Sequence, residues 1–113
     1  MSKHEAYGIA FASGIERDRY LILLDLQRAG EISRLQAQPR LTLAPAATDP
    51  TGYRWPQVTH SPDFGYMLDG IMVYEEVKPR GKGAPSVTRR DWKVRQAWAA
   101  RVYPLCVFRT VVM

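Results

Sequence analysis

Between Ser61 and Lys78 the chain spaces two carboxylates and a lysine as hydrolysis of a phosphodiester would require. Pro62-Asp63 comes first, and Glu76-Val77-Lys78 follows after two strand-like runs joined by Asp69-Gly70. Asp-Gly favours a tight hairpin turn because both residues tolerate a positive φ, and closing that hairpin brings Asp63 beside Glu76. Side chains alternate along a strand, so Met72, Tyr74, Glu76 and Lys78 share one face and Ile71, Val73, Glu75 and Val77 the other. Hard divalent ions such as Mg²⁺ or Mn²⁺ take carboxylate and carbonyl oxygens and keep waters for a substrate phosphate. Asp63, Glu76 and the backbone carbonyl of Val77 are therefore the expected metal ligands. The ion makes bound water more acidic and offsets charge on the phosphate, while Lys78 would orient the water or neutralise developing charge. In the plainer alternative, Asp63 starts a turn and Glu76 and Lys78 form a surface pair. Consecutive Glu75 and Glu76 count against it, because one of them must face the inner side of the sheet, where an unpaired carboxylate is costly.

The elements that must position these residues are legible in outline. Ser13, with Glu16 three places on, fits a capping box, and Gly30 is a natural stop for a helix ending near Ala29. Ile15, Ile22, Leu23 and Leu26 would form its buried stripe, leaving Arg17, Asp18, Asp25 and Arg28 in water. The first twelve residues read as irregular or weakly extended. Ile32, Leu35, Leu41 and Leu43 alternate loosely around Pro39, giving one bent or two short strands. Residues 44–53 read as a loop, 54–60 as an edge strand containing Pro56, and 79–87 as a flexible loop rich in Gly and Pro. A second helix is expected over 88–101, capped by Thr88, with Trp92, Ala99 and Val102 facing inward. Leu105 to Val112 is apolar enough to predict a final strand buried on both faces. Two helices on a mixed sheet of four or five strands make an α/β or α+β fold, and 113 residues make one domain spanning 1–113.

Composition narrows the partners. Sixteen Lys and Arg against eleven Asp and Glu leave a net charge of +5, which favours a polyanion. Arg80, Lys82, Arg89, Arg90, Lys93 and Arg95 crowd the loop and second helix with only Asp91 to oppose them. They read as a phosphate-contacting rim beside the acids, or else as a solvated helix face. Trp55, Trp92 and Trp98 could stack on bases, although Trp92 and Trp98 also suit a core. His4 and His60 read as surface residues. Cys106 is the single cysteine and reads as a buried thiol among apolar neighbours. No signal peptide or membrane-length apolar run is visible, so a reducing cytoplasm, of a bacterial host or a phage-infected cell, is the expected home.

The Pro62-Asp63 and Glu76-Val77-Lys78 pattern resembles the signature of the PD-(D/E)XK nuclease superfamily. Gly8-Ile9-x-Phe11-x-Ser13-x-x-Glu16, Arg19-Tyr20, Ala29-Gly30-x-Ile32, Leu35, Gln38-Pro39 and Asp63-Phe64-Gly65-Tyr66 are similar to blocks of a family of small phage and prophage endonuclease-like proteins. The resemblance covers nearly the whole chain. It implies a restriction-endonuclease-like core, with Asp63 and Glu76 as metal ligands and Lys78 as a catalytic lysine. It also implies that Glu16 joins the metal site, as the first-helix glutamate does in archaeal-type Holliday-junction resolvases, although Ser13 and Glu16 are equally explained by the capping box. Gln96 and Tyr103 match a Gln-x6-Tyr spacing of an exonuclease branch, which implies an accessory role. Arg95 aligns where relatives carry Lys, and Pro79 replaces the usual Gly after the lysine. The expectation is a Mg²⁺-dependent DNA endonuclease acting on branched or junction DNA in phage recombination or repair, working as a homodimer because symmetric cutting needs two sites. The alternatives are a nucleic-acid-binding protein that kept the fold and lost the chemistry, and a phage structural or interaction protein.

Overall fold

The computed structural model describes the backbone of residues 4–80 and 86–113 and the side chains of residues 4–80 and 92–113. The expected loop over 79–87 and the helix cap at Thr88 fall wholly or partly outside those residues. Where an irregular start was expected, β1 (Glu5–Ala6) and β2 (Ile9–Ala10) pair as a hairpin. Tyr7 (φ 50°) and Gly8 (φ 78°) turn it, with two successive positive-φ residues. Helix α1 (Gly14–Arg28) starts as its sequence dictates, with Ser13 Oγ accepting from the Glu16 N–H at 3.3 Å. Its inner face is rotated from the expected stripe. Leu23 is buried, Ile15, Tyr20 and Leu26 pack partly against the core, and Ile22 is exposed. Arg19 takes an inward position between Ile15 and Leu23, one turn from each, because a buried carboxylate waits for it.

Strands β3 (Ser33–Ala37) and β4 (Leu41–Ala44) flank Pro39, as two short strands. Within 44–53, expected to be a loop, β5 (Ala47–Thr48) forms and pairs with β6 (Arg54–Trp55), the first of two short strands into which the expected strand over 54–60 divides. Strand β7 (Val58–His60) then returns antiparallel to β4. Strands β8 (Phe64–Leu68) and β9 (Ile71–Lys78) are joined by Asp69 (φ 51°) and Gly70 (φ 80°), the turn that the dipeptide predicts. Helix α2 spans Ser86–Val102, starting two residues earlier than expected, and β10 (Val107–Val112) closes the chain.

The result is a mixed α/β molecule of two helices and several sheets, compatible with the α+β class. The largest sheet has four strands in the order β10-β9-β8-β3, with β10 parallel to β9 and the remaining neighbours antiparallel. Phe64, Tyr66, Val73 and Val77 lie on one face and meet Phe11, Ile32 and Leu23 of α1 in a single core cluster. Alternate residues of β9 point the other way, where Lys78 lies beneath Trp92 of α2 and Tyr74 stacks on Phe108. The Tyr74 ring also crosses Gly65, its cross-strand partner, so closely that a Cβ there would sit 2.9 Å from the ring.

Three expectations about burial are overturned. Among the described residues β10 is an edge strand, with Val107 and Val112 exposed, because β9 covers only one of its sides. Val102 faces outward, whereas Ala99 is fully buried, because α2 crosses β4 and β7 as well as β10. Cys106 is half-buried, in the turn between α2 and β10, where its N–H donates to the Tyr103 carbonyl. Among the described residues no helix is long and apolar enough to cross a membrane.

Candidate active site

Closure of the β8–β9 hairpin places Asp63 at the start of β8, opposite the end of β9 that carries Glu76 and Lys78. The Asp63 backbone N–H donates to the Glu75 carbonyl at 2.9 Å, and the Val77 N–H donates to Asp63 Oδ2 at 2.7 Å. One carboxylate oxygen of Asp63 is thereby tied to the strand that bears its partner. Glu76 is buried, and its carboxyl shares a hydrogen bond with that of Asp63. Burial is the main cause that pushes Glu76 up to about 8, and the nearby Asp63 charge adds to it against the pull of Lys78. Burial also raises Asp63, with the Val77 N–H and Lys78 opposing. Both carboxyls are raised, so the pair holds a proton to higher pH than either would in water.

Lys78 places its Nζ 4.4 Å from the centroid of the Trp92 ring. It also lines a cleft of about 570 Å³ together with Ser13, Gly14, Glu16, Val77 and Pro79. Here the first turn of α1 meets the end of β9, so Glu16 at the helix start also faces the strand end that carries Lys78. Burial, then the Asp63 charge, raises the Glu16 carboxyl, while the Ala12 backbone and Lys78 oppose the rise. Asp63 and Lys78 are within electrostatic reach of both Glu16 and Glu76, but among the described residues the three acids do not close into one group that could hold a metal ion.

Two neighbours of Glu76 escape a reading of the sequence. His60, expected at the surface, is 4% exposed, and its Nε2 lies 3.9 Å from Glu76 Oε1. Burial, then the Arg95 charge, lowers its pKa, so the imidazole is neutral beside a protonated carboxyl. His60 Nε2, buried, has no hydrogen-bond partner, whereas the Trp92 indole N–H turns toward the Glu76 carboxyl and opposes its rise. Residue type alone carried no signal for His60. Its place depends on β7 folding back against the main sheet.

The other glutamate of the pair faces the core. Glu75 is fully buried, and Arg19 Nε and Nη2 hold its two oxygens at 2.9 and 2.7 Å. The Tyr66 hydroxyl and Arg109 complete the network. Burial opposes ionisation of Glu75, but the hydrogen bonds from Arg19 and Tyr66, with the charges of Arg19 and Arg109, outweigh it and lower the pKa. Consecutive glutamates are therefore shifted in opposite directions, Glu75 down on the core face of β9 and Glu76 up on the face that meets α2.

The basic rim is placed only in part. Arg80 is exposed just beyond the cleft and its N–H ties the chain to the Met113 carbonyl at 2.9 Å. Lys93 and Arg95 are exposed on α2, and Arg95 donates to the Thr59 carbonyl at 3.3 Å, on β7 beside His60. Lys82 and the side chains of Arg89 and Arg90 lie outside the described residues. Gln96 and Tyr103 are not brought to the acid pair. Gln96 lines a separate cleft with Trp92, Lys93 and Phe108, and the Tyr103 hydroxyl donates to the Thr42 carbonyl at 2.8 Å.

Comparison with known proteins gives a family without an activity. The chain belongs to the family described as "Protein of unknown function (DUF1064)", whose model matches residues 1–103 and so every element except β10. No curated protein and no solved structure matches it.

Proposed function

We propose that this member of a family with no assigned activity is a divalent-metal-dependent DNA endonuclease of the PD-(D/E)XK type. The observation that carries the reading is the pairing of half-buried Asp63 with buried Glu76 across the hairpin, Asp63 fixed by the Val77 N–H at 2.7 Å and Lys78 two positions on from Glu76. Two carboxylates taken out of water at one place, with the pKa of one raised to about 8, hold a proton where a cation would sit. The donor set suits a hard ion, because Mg²⁺ is commonly held by only one or two carboxylates and leaves its remaining positions for waters and phosphate oxygens. Asp63 and Glu76 would hold it, while Glu16 lines the neighbouring cleft with Lys78. The ion would supply Lewis acidity at the phosphate and make water a better nucleophile. The chain's own contributions are distinct. Val77 fixes Asp63 through its N–H, Glu76 gives up its proton on loading, and Lys78 brings a positive charge to the developing anion. Arg80, Lys93 and Arg95 would lead a DNA backbone to the cleft, helped by Lys82, Arg89 and Arg90. The four-stranded mixed sheet with a helix on each face supports a restriction-endonuclease-like core. Action on branched DNA by a homodimer belongs to the same reading.

A second reading, a binding protein of the same fold without chemistry, has its own support. Among the described residues no three His, Cys, Asp or Glu side chains form a group that could hold a metal ion. The Lys78 ammonium also rests on an indole. Cleavage of a labelled panel (duplex, single strand, flap, four-way junction) with Mg²⁺ or Mn²⁺ separates the two. Cutting that needs the metal and disappears in Glu76→Ala is the expected outcome. DNA that is bound but never cut, by wild type and variant alike, would leave the binding reading in its place.

A further inference from the structure

The segment from β4 to β7 is a two-tiered antiparallel ribbon rooted in the candidate site. At its foot Leu41 pairs with His60, whose imidazole reaches Glu76. Its outer tier, β5 paired with β6, packs chiefly on itself and carries two aromatic side chains into solvent. Tyr53 is 57% exposed and Trp55 56%, with ring centroids 4.8 Å apart at 64°. Soluble surfaces rarely leave two large aromatic rings side by side in water without a partner.

The pair is also held still. Asp49 accepts hydrogen bonds from the Thr51 N–H at 2.8 Å and the Tyr53 N–H at 3.1 Å through Oδ1. Its Oδ2 accepts from Trp55 Nε1 at 3.0 Å, so the indole's single polar atom is fastened to the turn. Gly52 (φ 89°) gives its N–H to the Asp49 carbonyl, which closes the loop. Across the ribbon from Trp55 stands Ala47, whose small side chain does not cover the ring. An aromatic face that is exposed, immobilised and freed of its own hydrogen-bonding demand loses little entropy when a flat partner lies on it.

We propose that Tyr53 and Trp55 form a base-stacking finger that takes an unpaired nucleobase of DNA within about five nucleotides of the phosphate that the acid pair would engage. The proposal rests on the nuclease reading and gives it a substrate class, DNA with unstacked bases such as a flap or junction. A nucleobase is favoured as occupant because every base has a π-face and the rest of the molecule is charged for a polyanion. Arg54, exposed and between the two in sequence, adds a cation to the ribbon on the face opposite the rings. Reach agrees with this. Five residues of extended chain from His60 to Trp55 span at most about 17 Å, which is about five nucleotides of a stacked strand.

The test compares wild type, Trp55→Ala, Trp55→Phe and Asp49→Ala, in EDTA, by fluorescence anisotropy with a blunt duplex and with a flap of the same sequence. Thermal melting checks that each variant folds. Trp55→Ala should weaken flap binding by about 5- to 150-fold, the range for loss of one stacked base, and leave duplex binding within about twofold. Trp55→Phe should restore most of the loss, and Asp49→Ala, which frees the indole, should reproduce part of it. Equal losses on both DNAs, or no loss on either, would overturn the finger. If wild type still cuts duplex in a Glu76-dependent way, the nuclease reading survives that result. A wild type that binds no DNA removes both together. A Trp55→Ala variant that changes its oligomeric state and keeps its flap affinity would assign the aromatic pair to protein contact and overturn the finger as well.

Discussion

At the scale of single residues, the site is defined by where protons reside. Glu76 titrates near 4.5 in an ordinary setting and near 8 in the folded chain. The folded state therefore binds an extra proton between those values. The stability that this contributes is complete below about 4.5 and is lost as pH rises toward 8. Glu16 and Asp63 are shifted in the same direction. Glu75 is shifted the other way, and its contribution is lost only in acid, as pH falls through its lowered value. The metal-free protein should accordingly melt lower at pH 8 than at pH 5.5, with on the order of 3 kcal/mol of the difference traceable to Glu76. Glu76→Gln, which cannot ionise, should flatten that slope and remain the more stable form at pH 8. Mg²⁺ must displace the proton, so its stabilisation of wild type should grow from pH 5.5 to pH 8 and be absent in the variant. Melting curves at the two pH values, with EDTA or Mg²⁺, read all of this. A Mg²⁺ shift that is equal at both pH values, or that survives in Glu76→Gln, would remove Glu76 from the metal site.

At the scale of elements, the strand that carries Glu76 and Lys78 is clamped from behind by α1. Arg19 reaches from the helix to a glutamate that is fully buried on β9, and Tyr66 and Arg109 close the network from β8 and β10. Four elements thus meet on the one residue that precedes Glu76. Removing one partner of such a pair leaves a charge without compensation in the core, at about 3–5 kcal/mol. Arg19→Met should therefore lower the melting temperature by more than about 10 °C. Arg19→Met with Glu75→Leu should recover much of the loss, since an apolar pair of similar volume needs no charge. A double variant no more stable than the single one would show that the network does more than satisfy Glu75. These contacts also mark how far the sequence can be read. Asp63, Glu76 and Lys78 were legible because a two-residue period and an Asp-Gly turn set their relation locally, and Ser13 with Glu16 marked the helix start for the same reason. Arg19 and Glu75 lie 56 positions apart, and helix periodicity counts an arginine as wet, so the inward stripe was placed through Ile22 and not through Arg19. His60 was missed on the same grounds, since only the return of β7 against the main sheet buries it. The apolar run of β10 suggested a central strand, whereas pairing with β9 on one side alone leaves it at an edge.

At the scale of the whole molecule, net charge and its placement decide what reaches the site. A surplus of five positive charges on 113 residues attracts any polyanion, so attraction alone does not separate a nuclease from an ordinary basic protein. The salt dependence of binding does, because it counts the phosphates engaged. Arg80 is exposed after β9 and Lys93 and Arg95 are exposed on α2, and Lys82, Arg89 and Arg90 are their neighbours in sequence. If about four of the six meet phosphates, the affinity for duplex DNA should fall as roughly the 3.6 power of salt concentration, about a hundredfold between 50 and 200 mM KCl. Lys93→Ala should lessen that exponent by about one, equally for unrelated sequences, as loss of a single phosphate contact requires. Anisotropy titrations over the salt range measure both exponents. A slope near zero would mean that the positive charge is not used on nucleic acid, and a structural or interaction protein would then fit this fold better than a nuclease. A steep slope that Lys93→Ala leaves unchanged would keep the DNA but move its path off α2, toward Arg54 and the aromatic ribbon.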